Sequence, residues 1–143
     1  MRQTNSQIEA GIRAGNIVLT REFGQVRVET DINTLTTFTQ KVGQVFHKNT
    51  TMRVCSTLAN DIYREFALNW LGKVKNNEEG RGLFKAAILG RLKTMYDRGA
   101  LRIRPTGDDV TVEQGDSADS IVITLAIAIG DSVEKVYITI TVS

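Results

Sequence analysis

The sequence predicts an α+β fold: an N-terminal β-hairpin, two long amphipathic helices, and a C-terminal antiparallel β-hairpin that forms a mixed or antiparallel sheet packed on the helices. Two patterns carry this expectation. Apolar residues recur at three- and four-residue steps between Asn49 and Gly99, and strict alternation marks the segments before and after them. Composition agrees, because 143 residues with 41% hydrophobic and 24% charged side chains suit one compact domain with its own core.

The elements follow in order. Thr4-x-x-Gln7 is a capping-box pattern that opens a short helix carrying Ile8 and Ile12 and closing at Gly15. The β-rich runs Ile17–Glu22 and Val26–Thr30 flank Phe23-Gly24-Gln25, where Gly24 can supply the positive φ of a tight turn. In the second run Val26 and Val28 alternate with Arg27 and Glu29, so one face of the hairpin is expected to be buried. Residues 31–48 show neither period; Leu35, Phe38, Val42 and Phe46 are expected to pin an irregular connection to the core.

From Asn49, the residues Met52, Cys55, Leu58, Ile62, Phe66 and Trp70 stack on one helical face, with Arg53, Asn60, Asp61 and Arg64 opposite, until Gly72 stops the helix. A second helix is expected after Asn77, with Glu78 and Glu79 favouring its positive end, and to finish near Gly99. Its apolar stripe is Leu83, Phe84, Ala87, Ile88, Leu92, Met95 and Tyr96. Gly80, Gly82 and Gly90 each weaken it by about 1 kcal/mol relative to Ala, which suggests close packing at Gly90 and a frayed start before Leu83. After Pro105 and the turn residues Thr106–Asp109 comes a short strand, Val110–Val112. Two stronger strands, Ile121–Ile129 and Val136–Val142, are expected to pair through a Gly130-Asp131-Ser132 turn.

Chemistry is sparse. The single His47 has no second histidine for a shared metal, and Cys55 lies on an apolar stripe. Glu78–Gly82 lacks the Gly-Lys-Ser/Thr ending of a phosphate loop, and its two Glu would repel phosphate. Asp108, Asp109, Glu113 and Asp116 lack calcium-loop spacing and read as a solvated acidic turn. No catalytic, cofactor-binding or metal-binding residue is therefore assigned, and no enzyme activity is expected. With 18 Lys and Arg against 16 Asp and Glu, the net charge of +2 gives no case for a nucleic-acid partner. The longest apolar stretch, Ile121–Ile129, is too short for a membrane-spanning helix. The polar start at Met1–Ser6 shows no secretory signal.

Several stretches together resemble the C-terminal domain of contractile phage tail sheath proteins. They are Val28-Glu29-Thr30-Asp31-Ile32-Asn33-Thr34-Leu35, Lys48-Asn49 followed by Leu58-Ala59-Asn60-Asp61-Ile62, and Gly72-Lys73-Val74-Lys75-Asn76-Asn77-Glu78-Glu79-Gly80-Arg81. Asp109–Val112 and Ser132–Val142 complete the set, in the family's order over about residues 7–143. Lys75 departs from the pattern, standing where many relatives are expected to have proline.

The resemblance implies a structural subunit that polymerises helically around a tail tube and contracts to drive the tube through a cell envelope. It implies residues 1–143 as the inner domain of such a protein. The arm and outer domains that precede this domain in the family have no counterpart here, so a C-terminal fragment or a separately encoded short homologue is expected. The implied partners are neighbouring sheath subunits and the tube protein, and the implied location is a virion tail assembled in the bacterial cytoplasm. A bacteriocin-like or secretion-type contractile apparatus remains an alternative, as does a small α+β ligand-binding domain or enzyme.

Two residue sets follow as expectations. Val136, Ile138, Ile140 and Val142 form an alternating strand suited to subunit contact by strand exchange. Lys85, Arg91, Lys93, Arg98, Arg102 and Arg104 are candidates for facing the tube, since individually weak charged contacts can grip and then release.

Overall fold

The computed structural model describes residues 3–131 and 137–140. The described chain has three α-helices and two antiparallel two-stranded sheets: α1 (Asn5–Arg13), β1 (Leu19–Glu22), β2 (Gln25–Val28), α2 (Asn49–Glu65), α3 (Glu78–Asp97), β3 (Val110–Gln114) and β4 (Ile121–Leu125). These residues fall into two compact units, one up to Arg53 with residues 137–140 counted in it, the other Val54–Asp131.

In the first unit Thr4 makes the expected capping box: its side chain accepts from the Gln7 N–H, and Gln7 Oε1 accepts from the Thr4 N–H at 2.9 Å. Gly15 (φ +76°) ends the helix where a Cβ would lie 3.0–3.1 Å from Thr36 and Thr34. The hairpin runs Leu19↔Val28 to Glu22↔Gln25 around Phe23 and Gly24, both at positive φ, the signature of a two-residue type I′ turn. Its apolar face is not buried, contrary to the alternation: Val26 is 66% exposed and Val28 47%. Alternation makes one face of a ribbon apolar, but burial needs a second layer, and none covers this hairpin among the described residues.

The irregular connection is held at its base rather than by the residues expected. Ile32 is buried and Ile32↔Lys48 form an isolated bridge, while Phe38 and Val42 are exposed. Asn33 donates its N–H to His47 O at 2.9 Å and its Nδ2–H to Phe46 O at 2.7 Å. Asn49 donates its side-chain amide to Asp31 Oδ1 (2.8 Å) and Ile32 O (2.9 Å), and Arg53 pairs with Asp31. The guanidinium and then the amide hold the Asp31 carboxyl below the usual carboxylate range.

The second unit carries the main core: Leu58, Phe84, Ile88, Leu92, Met95, Leu101 and Val110, flanked by half-buried Ile62, Phe66, Trp70, Ile121 and Ile123. α2 ends in a π-turn, Phe66–Trp70, where the Leu71 N–H bonds Phe66 O at 2.8 Å, and Gly72 (φ +70°) terminates it. The expected face is shifted at its start, since Met52 is exposed and Thr51 buried.

α3 begins at Glu78, directly after Asn77 as expected, and its first turn is not frayed before Leu83, because the Asn77 side chain accepts from the Gly80 N–H at 2.8 Å. Close approach occurs at Gly80, where a Cβ would lie 2.3 Å from Lys75 O. At Gly90 a Cβ would meet nothing within 4 Å, which overturns the expectation of tight packing there. Leu83, placed on the stripe, is 58% exposed.

β3 and β4 pair from Val110↔Leu125 to Gln114↔Ile121, and α3 packs against β3. The expected C-terminal antiparallel hairpin on the helices is thus present, but its strands are β3 and β4 and not Ile121–Ile129 with Val136–Val142. The run Ile121–Ile129 divides: its first half pairs with β3, and beyond Leu125 the chain turns to 100–102, through Arg102 N–H to Ala128 O (2.7 Å) and Leu101↔Ile129. Gly130 serves that approach instead of a turn, since a Cβ there would lie 2.6 Å from Gly99 O. Residues 137–140 carry no strand, with Ile138 and Ile140 exposed; Val136 and Val142 lie outside the described residues. Alternation marks strands without naming their partners.

Candidate assembly surfaces

The titratable groups do not converge. Among the described residues no group of three or more His, Cys, Asp or Glu is placed to hold a metal. His47 Nδ1 is buried without a hydrogen-bond partner among the described residues, and the ring meets Phe38 edge-on at 6.1 Å. Asp109 caps its own turn, accepting from the Thr106 N–H (2.7 Å) and hydroxyl (2.9 Å), which keep its carboxyl below the usual range. Asp119 is lowered likewise by the Ser117 hydroxyl.

The basic residues separate into two kinds. Arg91 reaches from α3 to α2, donating Nε–H to Asp61 Oδ2 at 2.9 Å, with both side chains only partly exposed. Asp61 had been expected on the outer face of α2; the pair fastens the two helices together. Lys85 is half-buried beside Glu78, Arg81 and Glu113. Lys93, Arg98, Arg102 and Arg104 are exposed and make no side-chain hydrogen bond or ion pair among the described residues. At 100° per residue Lys85 and Lys93 lie about 80° apart around α3, with Arg91 about 160° from Lys93.

The sheets offer edges. Each has only two strands, so each strand leaves its outer backbone edge unpaired within the described sheets. The first ribbon also exposes Leu19, Val26, Val28 and the tip residue Phe23. The alternating pattern pointed to this ribbon, but not to its being uncovered.

Sequence reading missed a cavity of about 450 Å³ in the second unit, lined by Phe66, Trp70, Leu71, Val74, Lys75 and Phe84 among others. Trp70 and Phe66 tilt against Phe84 with centroids at 5.0 and 5.9 Å. Trp70 Nε1–H donates to Glu65 Oε1 at 3.3 Å, leaving the indole face apolar. On the rim, Asn76 donates to Ala118 O and Ser120 O, and Arg81 donates to Asn76. The Phe66–Trp70–Phe84 spacing was legible as core; that its outer side stays open depends on loop geometry that periodicity does not encode.

A family model described as the phage tail sheath C-terminal domain matches residues 41–143. The chain is similar to phage-like element PBSX protein XkdK of Bacillus subtilis (strain 168), being 32% identical over 124 residues that cover 82% of this chain and 27% of that protein. It is similar to the tail sheath protein of Clostridium phage phiCD119, 30% identical over 80 residues, 56% of this chain and 22% of that one. Among solved structures, the sheath tail protein of Desulfitobacterium hafniense superposes with a TM-score of 0.82 at 36% identity, covering 96% of this chain and 32% of that chain. The anti-feeding prophage baseplate shares the fold, with a TM-score of 0.67 at 18% identity over 100% of this chain and 40% of that one. The chain thus spans about a quarter to a third of the length of its sheath relatives.

Proposed function

Because the chain belongs to the phage tail sheath C-terminal domain family, we propose that it forms the inner, polymerising part of a contractile sheath around a tail tube, in a virion tail assembled in the host cytoplasm. The observation that supports this reading best is the pair of two-stranded ribbons whose outer edges are unpaired among the described residues. Such edges favour association between copies, because an added strand satisfies the backbone groups of both partners. The alternating segment Val136, Ile138, Ile140 and Val142 is the donated strand in this proposal, and the exposure of Ile138 and Ile140 supports it.

The tube contact is assigned to Lys93, Arg98, Arg102 and Arg104, which have no ion pair among the described residues, with Lys85 at their margin and Arg91 as an internal brace. Contacts of this kind are individually weak and screened, so they suit a surface that must grip a tube and later slide over it. A structural role asks for no catalytic group.

Co-expression with the tube protein tests both parts. Electron microscopy is expected to show sheathed tubes for the wild type, loss of polymer for Ile138→Pro or Ile140→Pro, and empty or detached sheath for Arg98→Glu with Arg102→Glu. Normal sheathed tubes from the proline variants would remove strand donation from the reading. Normal sheathed tubes from the charge-reversed variant would remove the tube-facing assignment.

A further inference from the structure

Phe23 occupies the least favourable place the hairpin has for a large apolar side chain. It is fully exposed at the tip, and it adopts φ +48°, a left-handed conformation that bulky residues rarely take and that Asn or Gly would fill without strain. Conformational strain and solvent exposure at one residue are the combination expected of a group held out for a partner. We propose that Phe23 is a knob that seats in the aromatic cavity of a second copy of this chain, beside Trp70 and Leu71.

The cavity suits this occupant on three counts. Its volume of about 450 Å³ accommodates a phenyl ring with the turn that carries it, and its floor is Phe66, Trp70 and Phe84, so an incoming ring meets tilted aromatic neighbours. Its rim carries Lys75, whose side chain has no partner among the described residues, and the knob is preceded by Glu22. Among the described residues Glu22 is held only by an exposed pair with Arg27 at 3.1 Å, weak enough to be exchanged for the lysine on docking. Knob and cavity are different patches, so the contact is heterologous and repeats from copy to copy instead of closing a two-fold dimer. The contact rests on the proposed sheath function only for why copies meet in series.

Cross-linking tests it in a Cys55→Ser background, which removes the only native thiol. A Gln25→Cys chain, which keeps the Phe23 knob, and a differently tagged Ala118→Cys chain, which keeps the aromatic lining of the cavity, are mixed with a short bismaleimide. Covalent heterodimer at least ten-fold above either homodimer is the expected result; no excess of heterodimer overturns the contact. Phe23→Asn, which suits the turn, is expected to weaken self-association at least ten-fold in sedimentation with an unchanged melting temperature, and Phe23→Trp to retain it. Unchanged self-association of Phe23→Asn overturns the knob. Electron microscopy separates the two readings: sheathed tubes without the heterodimer sink the contact alone, whereas heterodimer without sheathed tubes sinks the sheath function alone.

Discussion

The two ribbons, β1–β2 and β3–β4, are antiparallel, of four or five residues per strand, and built on alternating apolar positions. Their surroundings differ. Val110 is fully buried and Val112, Ile121, Ile123 and Leu125 pack on the core cluster, whereas Leu19, Val26 and Val28 stand in solvent. The difference comes from α3, which gives β3 a second layer; no described element does so for β1–β2. A ribbon whose apolar face finds no layer in its own chain is the region where assembly has most to gain, since burial there is worth roughly 25 cal/mol per Å² once a neighbour covers it.

The comparison breaks most decisively at the layer itself. Phe84 is 2% exposed beneath both Trp70 and Phe66, so Phe84→Ala is expected to cost about 3–5 kcal/mol in denaturant unfolding. A loss below about 1 kcal/mol would mean that α3 is not the support that distinguishes the two ribbons. The glycines of the same helix give the next largest effect, with opposite signs. Gly80→Ala must push a Cβ into Lys75 O and is expected to destabilise by about 1–3 kcal/mol. Gly90→Ala, in open space, is expected to stabilise by up to about 1 kcal/mol. Equal effects at the two positions would contradict the packing described for the start of α3.

Those glycines show what the sequence could and could not disclose. The extents of α2 and α3 were legible, because periodicity, the Asn77 cap and the Gly72 stop act within a few residues of one another. So was the Thr4 capping box. Which glycine meets a backbone carbonyl is set by the path of the loop before α3, and three glycines in one helix look alike in one dimension. The same limit hid Ile32, a single apolar residue among Asp31, Asn33 and the threonines, which becomes core because Asn33 and Asn49 fasten the loop on either side of it. It also hid the partner of β4, because alternation marks a strand without naming what it pairs with. The assembly surfaces were legible as residue types but not as surfaces: Arg91 belonged to the same basic run as Arg98 until Asp61 claimed it.

A smaller effect concerns acid. The Asp31 carboxyl is held below its ordinary value of 3.8 by Arg53 and Asn49. Its contribution is therefore fully present above that value and lost as pH falls through the lower folded one. Slowed hydrogen exchange at the Asn49 amide, which donates to Asp31 O at 3.1 Å, is expected near neutrality and to weaken below about pH 4. Asp31→Asn should flatten that dependence while leaving exchange in β3–β4 unchanged. An equal pH response in β3–β4 would assign the acid sensitivity to the whole chain instead of to this clip.

The smallest expected effect sharpens the comparison most directly, because it places the same kind of substitution in both ribbons. Val26→Thr keeps shape and β-branching but adds a hydroxyl, and at 66% exposure it should move stability by no more than about 0.5 kcal/mol. Val112→Thr is the same chemical change on a strand that packs against the core cluster, where a hydroxyl must either find a partner or stay unsatisfied, and about 1–3 kcal/mol should be lost. Parallel melts of the two variants decide the matter. If Val26→Thr costs as much as Val112→Thr, the first ribbon is covered in the free chain, and its apolar face is not available to a neighbour. If it is neutral in the free chain yet weakens self-association in sedimentation, the apolar face of β1–β2 does its work between copies.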